Sequence, residues 1–185
     1  PSVRVRIAAL ERIDDQDFLE TLLLDNDPDI CAAAVGRLTR WTPLLALVRE
    51  WRISLQTVLE RLSSDVFFTE REAIVAAAAP EVRIGDADKA PRFAAVIAKL
   101  TGKEMNDVYL EYGGMEYVQQ QIDKALNCRE LRSFREARDF LRYAYGKSRE
   151  CQDALKKMGR QTLLKHYDFN PGCFSERCDV TVETI

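Results

Sequence analysis

The sequence predicts an all-α protein, a short α-solenoid followed by a helical bundle. Three observations favour this fold class: an internal repeat near the N-terminus, apolar residues at helical spacing through most of the chain, and three sequence signatures of helix starts. The 185 residues are 46% hydrophobic and 31% charged, as in an ordinary globular chain. This composition excludes collagen, low-complexity disorder and disulfide-stapled miniproteins, and the length suits one domain or two small ones.

The first predicted element is a helix that recurs. Residues 5–13 realign on residues 30–38. The identical pairs are Ala8/Ala33, Ala9/Ala34 and Arg12/Arg37. Asp27 and Pro28 supply an N-cap and a proline at the first helical position of the second copy. The linking segments align as well, so each unit is predicted to be a long helix, a turn and a short helix. Two similar amphipathic helices without repeat ancestry are the alternative.

A third copy is predicted over residues 53–62. Its Arg61-Leu62 pair repeats Arg37-Leu38 at a spacing of 24 residues. Small residues at the same place in each unit let neighbouring helices approach closely, while leucines and isoleucines fill the layer between them. The repeats are therefore predicted to occupy residues 1–80.

These segments resemble the short HEAT-like repeats of bacterial proteins, including the leucine-rich-repeat-variant type. The repeat pattern is Asp-Pro-x-Val-Arg-x-x-Ala-Ala-x-x-Arg-Leu, and its counterparts are Pro1 to Ile13 and Pro28 to Leu38. The resemblance covers roughly the first third of the chain. It implies a HEAT-like α-solenoid with a binding role, and it brings no catalytic residue to transfer.

The start of the sequence falls inside a repeat. Pro1 stands at about the point that corresponds to Pro28 in the second copy. In a solenoid each repeat packs on its neighbours, so the first layer would need a preceding helix to cover it. We therefore expect the sequence to be part of a longer chain.

Capping boxes predict the next helix starts. The first box, Thr69 to Glu72, opens an alanine-rich helix that Pro80 follows. The second box is Thr101 to Glu104. The third box, Ser133 to Glu136, starts a helix that Gly146 ends. Loop chemistry between the first two boxes predicts a domain boundary within residues 81–91, and hence a helical C-terminal domain over residues 81–185.

Two further segments have a predicted conformation. Gly113-Gly114 is interpreted as a helix break rather than a phosphate-binding loop, because nucleotide fingerprints need more glycines and a preceding strand. The tail 179–185 alternates like a strand, and it belongs to an irregular C-terminus.

The charge is distributed unevenly. The net charge is −3, but residues 124–165 hold 12 basic and 5 acidic side chains, so this segment is +7 and the remainder −10. If one helix continues past Gly146, four arginines fall within about 60° of arc beside an apolar face. The arginines are Arg135, Arg138, Arg142 and Arg149, and the apolar face is Phe134, Ala137, Leu141, Ala144 and Tyr145.

Two roles for these arginines remain open. They can pair with the acidic repeats, which is the interpretation we favour, because both charged regions belong to one chain. Alternatively they grip phosphates, with Tyr143 and Tyr145 near enough to stack on bases. Nucleic-acid binding through the basic segment 124–166 is therefore the second functional hypothesis.

The sequence predicts neither catalysis nor a cofactor. The five cysteines (31, 128, 151, 173 and 178) are irregularly spaced and His166 is the only histidine, so we expect reduced thiols and no metal site. The carboxylates of Glu111, Glu116 and Asp123 are interpreted as solubilising surface groups. No apolar run is long enough to span a membrane, and no signal peptide is recognisable, so we expect a cytoplasmic protein.

Taken with the resemblance, these features favour a non-catalytic adaptor or scaffold. Its helical-repeat surface is predicted to hold a protein partner. Nucleic-acid binding comes second and enzymatic activity third.

Overall fold

A computed structural model describes residues 2–50, 53–83, 89–127 and 131–157. Of these residues 84% are helical, and they include no strand. The prediction of an all-α protein is therefore confirmed. The tail 179–185 and His166 lie outside the described residues.

The chain divides by its contacts into two compact units, Pro1–Met105 and Asn106–Ile185. The first unit contains seven described α-helices with two 3-10 segments. They are α1 (Val3–Leu10), α2 (Gln16–Thr21), a 3-10 turn (Leu22–Leu24), α3 (Pro28–Arg37), α4 (Thr42–Arg49), α5 (Leu55–Leu62), a 3-10 segment (Asp65–Glu70), α6 (Arg71–Arg83) and α7 (Ala90–Thr101).

The three helices predicted as repeat copies lie next to one another. α1 packs against α3, and α3 packs against α5, while α4 contacts α5 and α7. The start of α3 is as predicted, because the Asp27 side chain accepts the backbone N–H of Asp29 and Pro28 follows the cap. Side chains of all these helices form the core of the first unit. Its largest fully buried members include Leu19, Ile30, Leu38, Leu44, Leu62, Phe67, Ile74, Phe93 and Ile97.

Repeat-equivalent residues of α1 and α3 differ in burial. Val5 is 58% exposed, whereas its counterpart Ile30 is 2% exposed. Ala34 is fully buried, but its counterpart Ala9 is exposed. The high burial of Ile30 and Ala34 follows from packing, since α3 packs against both α1 and α5.

Two predicted capping boxes do not cap a helix, although α6 does begin within the first of them, at Arg71. Thr69 lies inside the 3-10 segment Asp65–Glu70, which runs directly into α6, so the chain is already helical there. Thr101 is the last residue of α7, and its hydroxyl donates to the Ile97 carbonyl over 2.7 Å. Gly102, at φ 72°, ends this helix in the left-handed conformation.

Two other helix boundaries differ from their predicted places. α6 extends through Pro80 to Arg83, because proline removes only one intrahelical hydrogen bond near this end and Val82 remains fully buried. Ser133 lies within α10, which spans Leu131–Lys147, so this helix begins before the predicted capping box. Gly146 is the penultimate residue of α10, close to the predicted end.

The division between the units lies C-terminal to the predicted boundary. α7 packs against α6 and also contacts α4 and α5, so residues 90–101 belong to the first unit. The contact boundary consequently follows Met105, whereas the loop chemistry predicted a boundary within residues 81–91.

The second unit is built around a π-helical turn and two long helices. α8 (Met105–Val108) leads into a π-helix (Tyr109–Gly113), and α9 (Gly114–Asn127), α10 (Leu131–Lys147) and α11 (Arg149–Lys157) follow. The helix break predicted at Gly113-Gly114 is present, since Gly114 adopts φ 57° and ψ −155°, which glycine tolerates. The buried cluster of this unit is Val118, Ile122, Ala125, Phe134, Ala137, Phe140, Leu141, Ala144 and Cys151.

The apolar face predicted for α10 is its buried face. Phe134, Ala137, Leu141 and Ala144 are all at most 1% exposed. Tyr145 is half-buried and packs at the edge of the cluster. Helical periodicity therefore identified the core side of this helix correctly.

Candidate binding groove on the helical repeats

Two arginines at equivalent repeat positions make the same contact. Arg37 Nη2 donates to the backbone oxygen of Ile13 over 3.3 Å. One unit later, Arg61 donates through Nε and Nη2 to the Leu38 oxygen, over 3.0 and 2.5 Å. Residues 13 and 38 are themselves equivalent in the repeat alignment. Arg61 thus reaches back to the C-cap residue of α3, where backbone carbonyls lack intrahelical donors, and Arg37 reaches back to the segment that follows α1.

Other polar contacts join neighbouring repeats at similar sequence separations. The Gln16 side-chain oxygen accepts the Thr39 backbone N–H over 2.7 Å. Arg40 lies 2.6 Å from a carboxylate oxygen of Asp17, and Arg6 lies 3.2 Å from one of Asp27. Arginines inside the acidic repeats therefore neutralise part of the repeats' negative charge.

A polar groove of about 480 Å³ lies over the ends of the repeat helices. It is lined by Asp14, Gln16, Gly36, Arg37, Thr39 and Arg61. Burial, and then the charge of Arg37, lowers the pKa of the Arg61 guanidinium. Asp14, 94% exposed, binds Arg37 over 2.6 Å. The lining thus carries two guanidinium groups and one carboxylate.

An apolar groove of about 310 Å³ adjoins the polar one. Ile7, Leu10 and Ala33 provide its apolar wall, and Glu11, Gly36 and Arg37 complete the lining. The two grooves share Gly36 and Arg37, so they form one continuous surface. Gly36 is exposed, and a Cβ atom at this position would meet no neighbouring atom within 4 Å. We call this surface the repeat groove.

The four arginines predicted as a stripe occupy different environments. Arg135 is exposed, and Arg142 is half-buried. The Arg138 side chain is 14% exposed and donates to the Asp139 carboxylate, with the shorter contact at 2.9 Å. Arg149 belongs to α11, because Ser148 caps that helix by accepting the Cys151 backbone N–H over 3.3 Å. The condition for a stripe of four arginines, one helix that continues past Gly146 to Arg149, is therefore not met, and the prediction that α10 ends near Gly146 agrees with the structure.

The two tyrosines proposed for base stacking make contacts within the second unit. The Tyr143 hydroxyl donates to the Asp107 carboxylate, and the Lys147 ammonium lies 5.6 Å from the centre of its ring. Tyr145 packs against the buried cluster, and its backbone oxygen accepts from Gln152 over 2.8 Å. Both rings are thus held by neighbours of their own unit.

Sequence reasoning missed an aromatic cluster beside the π-helix. The rings of Tyr109 and Tyr117 stack in parallel at a centroid distance of 4.5 Å, and Phe140 meets both edge-on. Burial raises the pKa of both tyrosines, and the electrostatic interaction with Tyr109 raises the pKa of Tyr117 further. The cluster packs against the buried core of the second unit.

The other predicted candidates have ordinary surroundings where they are described. Glu111, Glu116 and Asp123 are exposed, and Asp123 accepts the Gln119 amide over 2.9 Å. Cys31 and Cys151 are buried thiols, whereas residues 128, 173 and 178 lie outside the described part of the chain. Among the residues with a described placement, no cluster of three histidine, cysteine or acidic side chains is arranged to hold a metal ion.

The repeat groove was not predicted from the sequence, although one signal for it was present. Arginine recurs at residues 12, 37 and 61, and two of these three, Arg37 and Arg61, form its cationic lining. The helices seen in the structure, over the ranges given above, are too short or too polar to cross a membrane.

The chain matches no protein-family model, and comparisons with curated proteins and with solved structures likewise give no match. The resemblance of the N-terminal third to HEAT-like repeats therefore stays a prediction.

Proposed function

We propose that the first unit is a HEAT-like α-solenoid and that the protein is a non-catalytic adaptor or scaffold. The observation that carries this proposal is the repeat groove, a continuous surface of polar and apolar character over three adjacent repeat helices. Its side chains suit binding, since guanidinium, amide and hydroxyl groups hold a partner through hydrogen bonds and charge.

The construction of the groove supports a rigid binding surface. The backbone oxygens of Ile13 and Leu38 hold Arg37 and Arg61 in place. Thr39 is held by the hydrogen bond to Gln16. A surface that is ordered before binding loses less conformational entropy when a partner arrives.

A pair of matched variants tests this function. Gly36→Trp puts a bulky side chain into the groove, where the structure leaves open space. Gly146→Trp is the control, because Gly146 is also exposed, helical, next to the last residue of its helix and open at Cβ. Wild type and both variants would serve as bait in quantitative capture from the source organism, followed by mass spectrometry.

We expect at least one captured partner that binds both wild type and Gly146→Trp. The recovered amount of this partner should be at least about tenfold lower with Gly36→Trp, as for loss of an interface hot spot. Circular dichroism of all three baits controls for folding. A partner set that is unchanged by Gly36→Trp contradicts binding through this surface.

Nucleic-acid binding through the basic segment 124–166 is the second candidate. The observation that favours it is that Arg132, Arg135, Lys147 and Arg149 are exposed. Titration of a labelled oligonucleotide at low and high salt tests this candidate, because phosphate neutralisation makes affinity fall with salt.

Replacing Arg135, Arg138 and Arg142 together by Gln separates the two roles of the arginines. For a phosphate-binding surface, the triple variant weakens oligonucleotide binding and flattens the salt dependence, by about one unit per lost contact. For arginines that pair within the protein, it lowers the melting temperature and leaves oligonucleotide binding unchanged. We expect the second result, since an external anion must compete with carboxylates of the same chain, such as Asp139.

A further inference from the structure

We propose that the repeat groove recognises an acidic group of its partner, a carboxylate followed by an apolar side chain in an extended peptide. This inference rests on the proposed function and names the chemistry of the partner. The carboxylate would lie at Arg37 and Arg61, and the apolar side chain would enter the space lined by Ile7, Leu10 and Ala33.

The charge of the groove argues for an acidic ligand. Three other arginines of the first unit are paired with carboxylates: Arg6 with Asp27, Arg40 with Asp17, and Arg49 with Glu81. Arg61 differs, because its hydrogen bonds go to the neutral Leu38 oxygen and its guanidinium carbon lies 5.5 Å from the Phe67 ring centre. The polar part of the groove therefore carries one net positive charge, two guanidinium groups against the Asp14 carboxylate, which a ligand can neutralise. The Glu11 carboxylate lines only the apolar part.

The two guanidinium groups repel each other within the groove. Burial and the charge of Arg37 both lower the pKa of Arg61, which means that the site disfavours its second cation. Asp14 offsets little of this repulsion, because it is 94% exposed and its charge is screened by water. A carboxylate placed beside both arginines relieves the repulsion and accepts charge-assisted hydrogen bonds.

The adjoining groove gives the ligand its second feature. Ile7 and Ala33 are half-buried and Leu10 is buried, so together they offer an apolar depression directly beside Arg37. An apolar side chain that enters it leaves water, which favours binding. An acidic residue next to an apolar residue therefore matches the two halves of the groove.

The first test places the carboxylate in the groove covalently. Gly36→Glu and Gly36→Gln have side chains of similar size, but only Glu carries a charge. We expect Gly36→Glu to melt about 2–4 °C above Gly36→Gln at low salt, with the difference shrinking at high salt. Gly146→Glu and Gly146→Gln are the controls. Both glycines precede a basic last residue of their helix, so an unfavourable helix dipole acts equally on both glutamates.

The second test measures binding of a defined probe. A fluorescein-labelled octapeptide of alternating glutamate and leucine is titrated against wild type, Gly36→Trp and Gly146→Trp by fluorescence anisotropy. The same peptide with glutamine in place of glutamate is the neutral probe. We expect wild type to bind the acidic peptide at least about tenfold more tightly than the neutral peptide, with an affinity that falls as salt is added. Binding of the acidic peptide should be lost in Gly36→Trp and should persist in Gly146→Trp.

Two results would overturn the inference: equal affinity for the acidic and neutral peptides, or equal stabilisation by Glu at positions 36 and 146. Neither result would remove the proposed function, which depends on capture of a protein partner that Gly36→Trp depletes. Conversely, if Gly36→Trp captures the same partners as wild type, both the proposed function and this inference are contradicted.

Discussion

At the scale of single residues, Arg37 and Arg61 connect segments of the first unit that are distant in the sequence. Arg61 satisfies the Leu38 backbone oxygen, and Leu38 itself is fully buried at the end of α3. A buried carbonyl that loses its donor costs free energy, because water cannot replace the lost hydrogen bond. Arg61 therefore links the end of α3 to α5.

This role predicts the effect of Arg61→Met, which keeps an unbranched side chain and removes the donors. We expect the free energy of unfolding to fall by about 1–3 kcal/mol, measured by urea denaturation. Arg135→Met, at an exposed position, is the control and should change stability by less than about 0.5 kcal/mol. Equal losses in the two variants would contradict a connecting role for Arg61.

Replacing Gly36 or Gly102 of the first unit by alanine is expected to change the free energy of unfolding in opposite directions. Gly36→Ala should raise the free energy of unfolding by about 0.5–1 kcal/mol, because Gly36 is helical and its Cβ position is empty. Gly102→Ala should lower it, since Gly102 has φ 72°. Thermal denaturation of the two variants checks both signs. Stabilisation by Gly102→Ala would show that this helix end does not require the left-handed conformation.

At the scale of elements, the π-helix Tyr109–Gly113 brings aromatic side chains together. A Cβ atom on Gly113 would lie 2.6 Å from the Tyr117 Cβ, so the π-helix and α9 are in close contact there. Gly114 then redirects the chain into α9 with a positive φ. The glycine pair thus permits both the approach and the turn that stack Tyr109 on Tyr117.

The stacked tyrosines predict alkaline destabilisation of the second unit. Below the ordinary tyrosine pKa of 10.0 the phenols are neutral in the folded and unfolded states. Above it the unfolded chain releases protons that the folded protein retains, because burial raises the folded pKa of Tyr109 and Tyr117. The free energy of unfolding should therefore fall as the pH rises above this value.

Urea denaturation at a series of alkaline pH values measures this fall. Tyr117→Phe is the diagnostic variant, since it removes one titrating phenol and keeps the ring, so its stability should depend less steeply on pH. A wild-type stability that stays constant through this range would contradict the effect.

At the scale of the whole molecule, the chain comprises two compact units with separate buried cores. Phe93 belongs to the core of the first unit and Phe134 to that of the second, each 1% exposed. A cavity in one core removes packing from that unit. Each unit is therefore expected to have its own thermal transition.

Differential scanning calorimetry of Phe93→Ala and Phe134→Ala tests this expectation. Each change should cost about 3–5 kcal/mol in its own unit, as for other buried phenylalanines. We expect each variant to lower one transition and leave the other near its wild-type temperature. A single transition that both variants lower equally would show that the units unfold together.

The sequence by itself determined the features that depend on local pattern. Helical periodicity gave the all-α class, and the Asp27-Pro28 pair gave the start of α3. The buried side of α10 followed from the spacing of Phe134, Leu141 and their neighbours. Such features are readable because each is encoded within a few turns of one helix.

Only the tertiary structure decided the features that join distant residues. The groove brings together residues far apart in the sequence, and within it Arg61 binds the Leu38 oxygen and Arg37 binds the Ile13 oxygen. Packing also overrode local signals, since Thr101 ends α7 where its capping box predicted a start. A capping sequence offers hydrogen bonds to any nearby backbone group, and which group accepts them depends on where the neighbouring helices place the chain.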